Sequence, residues 1–133
     1  MLIYCDSVIL IYFYEHTGAF NVRAVNRMTA LRTAGDRIGV SDLSRLECRV
    51  QPIRRGDPAT VAMYDAFFAL PDVQLIPITS VVFDRATLYR ATYNFKLADA
   101  LHLAAAVEAH CDRFLTNDAR LSRCTDIPVE VLP

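Results

Sequence analysis

Short apolar runs that alternate with longer helix-forming segments are the feature of this sequence that most restricts its fold. Apolar runs cover residues 2–5, 38–40, 73–78, 114–116 and 129–132. Strands that are apolar throughout are typical of sheets whose two faces are both covered. The alternation with helices implies crossover connections and a parallel sheet. The 133 residues, 53% of them hydrophobic, therefore predict one α/β domain over residues 1–133, with a mostly parallel sheet of four to five strands between helical layers.

The helical segments are predicted over residues 7–14, 21–33, 58–70, 81–93 and 97–110. A further helix begins after Ser41 and is expected to end around Pro52 and Gly56. Its inward side is predicted to carry Leu43, Leu46, Glu47 and Val50. In the helix over 21–33, the apolar positions at helical spacing are Val22, Val25, Met28 and Leu31.

Four acidic residues lie at the ends of predicted core elements. Asp6 and Asp118 follow apolar strands, Glu47 lies in the helix after a strand, and Asp99 begins an alanine-rich helix. Parallel sheets bind ligands beyond the carboxyl ends of their strands. Because converging carboxylates repel one another unless a cation lies between them, the pattern predicts a Mg²⁺ or Mn²⁺ site suited to phosphodiester hydrolysis.

Each acid also has a structural alternative. Asp6 could cap the following helix, Asp99 could interact with a helix dipole, and Asp118 could belong to a turn. Glu47 needs a partner if it is buried, and that partner is either a cation or a basic side chain such as Arg23 or Arg27.

Polar neighbours accompany these acids. Ser7 could cap a helix or orient a metal-bound water, and Thr116 could orient a carboxylate or a water. Asn117 could serve as a neutral hydrogen-bonding neighbour. His102, three residues after Asp99, is interpreted as a packed structural residue, because a hard cation prefers oxygen ligands.

Basic residues concentrate in the first half of the chain. Residues 21–60 hold eight arginines and four acids, whereas the whole chain has a net charge of −1. Arginine suits phosphate partners, and the candidates for binding an RNA backbone are Arg23, Arg27, Arg45 and Arg49. An ion-paired helical surface or a docking surface for an acidic protein is the alternative.

The four cysteines, Cys5, Cys48, Cys111 and Cys124, form no C-x-x-C pair. They are expected to be reduced and buried, although a zinc site from His110, Cys111 and Cys124 is an alternative. The N-terminus does not resemble a signal peptide, and the apolar run over 8–14 is too short to span a bilayer. A cytoplasmic protein without membrane contact is expected.

The sequence resembles the PIN-domain ribonucleases, and within them the VapC-type toxins of bacterial toxin–antitoxin pairs. The matching segments are Ile3-Tyr4-Cys5-Asp6-Ser7, residues 41–47, the segment Leu97-Ala98-Asp99 through Ala106, and Phe114-Leu115-Thr116-Asn117-Asp118. The resemblance implies a PIN-like three-layer α/β/α fold. It also implies a catalytic and metal-binding quartet of Asp6, Glu47, Asp99 and Asp118, supported by Ser7, Thr116 and Asn117.

The same resemblance implies a Mg²⁺- or Mn²⁺-dependent endoribonuclease that acts on RNA. It implies a homodimer that a cognate VapB-like antitoxin holds inactive. A PIN-fold nuclease of RNA maturation, outside a toxin–antitoxin pair, is an alternative within the family.

Three functions of other kinds remain alternatives. A phosphatase with an aspartyl nucleophile would need a second Asp two positions after Asp6, where Val8 stands. A receiver domain would need an Asp at the end of the third strand, where the sequence reads Pro77-Ile78-Thr79. A protein-binding module with this fold and no catalysis is the third alternative.

Overall fold

The computed structural model describes all 133 residues and contains five strands and six α-helices. The strands are β1 (Leu2–Cys5), β2 (Arg37–Ser41), β3 (Val73–Ile76), β4 (Arg113–Thr116) and β5 (Val129–Val131). The helices are α1 (Ser7–Glu15), α2 (Ala19–Thr33), α3 (Asp42–Arg54), α4 (Pro58–Phe68), α5 (Ser80–Tyr93) and α6 (Leu97–Glu108). A short 3₁₀ helix covers Ala119–Arg123.

The five strands form one parallel sheet in the order β3-β2-β1-β4-β5. β1 is central, and it pairs with β2 through Ile3 and Ile38 and with β4 through Tyr4 and Phe114. The predicted parallel α/β fold is therefore confirmed. All strands point the same way, so the segments that follow β1, β2 and β4 begin at the same edge of the sheet.

Successive residues of β1 point to opposite faces of the sheet and belong to separate apolar layers. Ile3 and Cys5 pack with Met28 of α2 and other side chains of α1 and α4. Tyr4 packs with Phe114 and with the alanine-rich α6 in the second layer. Burial of both faces explains why the strands carry almost no polar residue.

The packing of α3 differs from the sequence-based expectation. Its buried positions are Ser44, Cys48 and Pro52, whereas Leu46 is 56% exposed. The prediction that Leu46 lies on the inward side is wrong, because this helix meets the molecule partly through a polar network. The helix also runs through Pro52 to Arg54, since a proline in the last turn removes only one helical N–H donor.

The packing of α2 departs from its predicted apolar stripe in a similar way. Met28 and Leu31 are buried as expected, but Val22 is 54% and Val25 is 37% exposed. Ala24 is the third buried position of the helix. A narrower stripe is enough here because α2 covers only one edge of its apolar layer.

The cysteines are buried and unpaired, as the sequence predicts. His110, Cys111 and Cys124 do not form a metal-binding group, so the zinc alternative is not supported. None of the helices combines the length and the apolar character that a bilayer-spanning helix requires.

Candidate functional site

The four predicted acids line one open cleft of about 700 Å³ at the carboxyl edge of the sheet. Asp6 joins β1 to α1 and Asp118 follows β4, and these two strands are hydrogen-bonded neighbours. Glu47 projects from the second turn of α3, and Asp99 from the first turn of α6. The cleft is therefore assembled from four elements that are far apart in the sequence.

Asp6 is the most buried of the four carboxylates, with 8% of the residue exposed. It occupies the N-cap position of α1 but makes no capping hydrogen bond with its side chain. Thr116 Oγ1 donates to Asp6 Oδ2 over 2.8 Å instead. Burial raises the pKa of the Asp6 carboxyl, and the charge of Glu47 adds to that effect, against the influence of His102 and Thr116. A carboxylate in this setting gains stability from a nearby cation.

Glu47 is held through one of its two carboxylate oxygens. Ser7 Oγ donates to Glu47 Oε1 over 2.9 Å, and His102 Nε2 lies 2.5 Å from the same oxygen. Partial burial opposes ionisation, but the bonds from His102 and Ser7 outweigh it and lower the pKa of Glu47. Oε2 receives no hydrogen bond from the protein, so it remains free for a ligand in the cleft.

His102 connects the cleft to the core. It is 1% exposed, and its Nδ1 lies 2.6 Å from the Tyr4 hydroxyl, which in turn donates to Ser41 Oγ over 2.9 Å. Because an ionised carboxylate only accepts hydrogen bonds, Nε2 carries the proton that is donated to Glu47. Burial raises the pKa of the Tyr4 phenol, which therefore keeps its proton. The interpretation of His102 as a packed structural residue agrees with this placement.

The remaining two acids have contrasting surroundings. Burial, followed by the charges of Asp6 and Asp118, raises the pKa of the Asp99 carboxyl. Asp118 caps the 3₁₀ helix and accepts hydrogen bonds from the Arg120 guanidinium at distances from 2.6 to 3.2 Å. Those bonds hold the pKa of Asp118 below its ordinary value. Asp6 and Asp99 are thus the carboxylates whose charge has no strong cationic partner.

The predicted supporting residues lie beside these acids. Thr116 Oγ1, besides binding Asp6, accepts the backbone N–H of Asp118 over 3.1 Å. Asn117 lines the cleft, and its amide donates to the Tyr12 hydroxyl over 3.0 Å. The segment after β4 therefore places two acids relative to each other through a single threonine.

The donor groups of the cleft are carboxylate, hydroxyl and amide oxygens, which are the ligands of hard cations such as Mg²⁺ and Mn²⁺. As the side chains stand, no three acidic, histidine or cysteine residues surround a common metal position, because Glu47 turns to His102 and Asp118 to Arg120. The raised pKa values of Asp6 and Asp99 show an excess of negative charge between them. The residues therefore fit a cation held by Asp6 and Asp99, with Glu47 and Asp118 contributing directly or through water.

The structure places the four candidate RNA-binding arginines away from the lining of the cleft. Three of them form ion pairs, which are Arg27 with Glu130, Arg45 with Asp42, and Arg49 with Asp65. Arg23 lies over the ring of Phe20. The basic residues that do line the cleft are Lys96 and Arg120, which were not among the sequence-based candidates. Their positions three residues before Asp99 and two after Asp118 are the signals that could have identified them.

Solved structures of the same fold come from bacterial toxin–antitoxin systems. VapBC2 of Rickettsia felis, solved with a DNA fragment from its promoter, aligns with a TM-score of 0.81 and 14% identity over 100% of both chains. DNA-bound VapBC of Salmonella typhimurium gives 0.79 and 13%, again over 100% of both chains. VapC20 of Mycobacterium tuberculosis, a toxin that cleaves the sarcin–ricin loop, gives 0.77 and 16% over 98% of this chain and 99% of that one.

Sequence comparisons add the family assignment. No curated protein matches the chain significantly. The family model of the PIN domain matches residues 3–126, a span that contains all four acids of the cleft and all five strands except the end of the fifth. The chain belongs to the PIN domain family.

Proposed function

We propose that this protein is a Mg²⁺- or Mn²⁺-dependent endoribonuclease and the toxin of a toxin–antitoxin pair. The observation that carries the proposal is the convergence of Asp6, Glu47, Asp99 and Asp118 on one open cleft. Membership of the PIN domain family and the likeness to toxin structures support it.

A divalent cation bound in the cleft would supply a more acidic water and neutralise charge on the phosphate. The chain's own residues provide the setting for that chemistry. Asp6, fixed by Thr116, and Asp99 supply negative oxygens in the deepest part of the cleft. Glu47, held at Oε1 by Ser7 and His102, presents Oε2 to the same space.

Basic side chains at the rim would hold the polyanionic substrate. Lys96 and Arg120 line the cleft beside Asp99 and Asp118. A guanidinium suits phosphate oxygens through its planar set of donors. Arg120 binds Asp118 in the structure, so phosphate binding by Arg120 would release Asp118 toward the cleft.

The first test is cleavage of a mixed RNA pool by purified protein with Mg²⁺ or Mn²⁺ and with EDTA. Asp99→Asn is expected to abolish cleavage, because it removes one of the two uncompensated carboxylates. Asp84→Asn is the matched control, since Asp84 is an exposed acid of α5 that makes no ion pair. Cleavage that persists in EDTA, or in Asp99→Asn purified identically, would contradict the proposal.

The toxin role has its own test. Expression of the wild type in bacteria is expected to arrest growth, while Asp99→Asn is expected to be tolerated. A VapB-like antitoxin would bind the folded protein, and a homodimer is expected from the family resemblance. Cleavage in vitro without growth arrest would favour a PIN nuclease of RNA maturation, and a folded protein that binds RNA without cleaving it would favour a binding module.

A further inference from the structure

Most basic side chains of this protein are neutralised by carboxylates. Ion pairs engage eight of the fourteen lysines and arginines, including Arg120 at the cleft. The six basic residues without an ion pair are Arg23, Arg37, Arg54, Arg90, Lys96 and Arg123. Two of these, Lys96 and Arg123, line the same cavity of about 320 Å³.

That cavity, called here the basic groove, adjoins the carboxylate cleft. Lys96, Asp99 and Arg120 line both spaces, and the groove continues past Asn94 to Arg123. The groove is thus an extension of the cleft in which unpaired positive charge replaces negative charge.

Aromatic rings hold Arg123 in place. Its guanidinium carbon lies 5.8 Å from the ring centre of Tyr93 and 5.9 Å from that of Phe95. The two rings are stacked with centres 5.0 Å apart, and Arg123 Nη1 donates to the Tyr93 carbonyl over 3.0 Å. The remaining N–H donors of Arg123 bind no protein group. A guanidinium that is fixed on one side and open on the other loses little freedom when it binds an anion.

The acidic cleft creates the need for such a groove. A cation between Asp6 and Asp99 would compensate the charge at one phosphate, but the flanking phosphates of a polynucleotide would still meet four carboxylates. Backbone contacts from Lys and Arg supply most of the affinity of proteins for nucleic acids. Unpaired cations directly beside the carboxylates meet that requirement.

We propose that Lys96 and Arg123 form a subsite for the RNA backbone, which binds phosphates adjacent to the one in the carboxylate cleft. This inference rests on the proposed function and specifies where its substrate lies. It assigns substrate binding to the segment between α5 and α6 and to the 3₁₀ helix, in place of the arginines of α2 and α3.

Binding of a fluorescently labelled single-stranded RNA, followed by anisotropy, tests the subsite. The titrations are made in EDTA, where no metal-dependent cleavage occurs, at several salt concentrations. The variant is Lys96→Gln with Arg123→Gln. The matched control is Arg37→Gln with Arg54→Gln, which changes the net charge equally at two unpaired, exposed arginines outside the groove.

The groove variant is expected to show a salt dependence, as log K against log salt concentration, that is shallower by about 1.4, because each lost phosphate contact on a single strand accounts for about 0.7. The control is expected to keep the wild-type slope. Lys96→Gln alone, at a side chain without protein hydrogen bonds, is expected to lose about half of that difference, and it serves as the test if loss of Arg123 impairs folding. Equal slopes for groove variant and control would overturn the subsite, and so would a wild type that binds no RNA in EDTA.

The experiment separates the subsite from the nuclease. Wild type that binds RNA through the groove and yet cleaves none with Mg²⁺ or Mn²⁺ would retain the subsite and refute the nuclease. Cleavage by the wild type, combined with unchanged RNA binding by the groove variant, would refute the subsite alone.

Discussion

The buried link between His102 and Glu47 gives the sharpest test of how the core supports the cleft. Replacing His102 by leucine keeps an apolar side chain of similar size in a position that is 1% exposed. It removes the bond to Glu47 Oε1 and the bond to the Tyr4 hydroxyl. Neither partner is left alone, because Glu47 keeps Ser7 and Tyr4 keeps Ser41.

The expected cost follows from these two bonds. A hydrogen bond to a charged group contributes about 1.5–3 kcal/mol and a neutral one about 1 kcal/mol. The lower end of the range applies, since both partners retain a second bond and Glu47 is partly exposed. His102→Leu should therefore lose about 2–3 kcal/mol of stability, which lowers Tm by about 10 °C in a chain of this size.

Urea and thermal denaturation in EDTA, followed by circular dichroism, measure this loss. Tyr4→Phe removes only the neutral bond and should cost about 1 kcal/mol. His102→Gln can still donate to Glu47 and should recover part of the stability. A double-mutant cycle of His102→Leu with Glu47→Gln should give a coupling free energy of about 1.5 kcal/mol or more. Additive effects, or His102→Leu with wild-type stability, would refute the argument that this bond stabilises the fold and fixes Glu47.

Three further predictions concern other parts of the molecule. Asp99→Asn should be more stable than the wild type at pH 7, because a raised pKa means that the ionised carboxyl is disfavoured in the folded state. Urea titrations should show this advantage shrinking as the pH falls toward 3.8, the ordinary pKa of the group, and a constant difference would contradict it. Gly39→Ala should destabilise by about 1 kcal/mol, because the new Cβ would lie 3.1 Å from Ile76 Cδ1; Ile76→Val in the same chain should reverse most of that loss, and no reversal would exclude this contact as the cause. Arg27→Gln breaks a two-bond pair with Glu130 and should cost about 1 kcal/mol in urea denaturation without changing RNA affinity, so weaker RNA binding would restore Arg27 as a substrate contact.

The sequence predicted the sheet well because the physical signal there is local. Residues 2–5 and 38–40 are short apolar runs that can only be buried on both sides, and both became neighbouring parallel strands. Helix α3 shows where the same reasoning fails. Periodicity placed Leu46 inward, but the inward face carries Ser44, whose hydroxyl accepts the N–H of Ser41 over 3.1 Å. A helix beside a polar cleft does not follow the rule that apolar residues mark the buried side.

The partners of charged residues could not be predicted, because they are distant in the sequence. Glu47 binds His102, 55 residues away, where the sequence suggested an arginine or a cation. Arg27 binds Glu130 across 103 residues. Counting charges within a segment suggested a basic face in the first half of the chain, and the folded molecule neutralises most of it. The unpaired cations beside the cleft are instead Lys96 and Arg123, from a part of the sequence with no excess of basic residues.

The central position of β1 has a consequence for biosynthesis. Asp6 is among the first residues that the ribosome makes, but its carboxylate is held by Thr116 of β4, which is among the last strands to appear. Glu47 likewise waits for His102. A nascent chain still lacking β4 therefore contains at most three of the four acids, without the threonine that orders the first of them. Translation order thus delays completion of the cleft until nearly the whole chain has emerged, which protects the machinery that synthesises it from a premature nuclease.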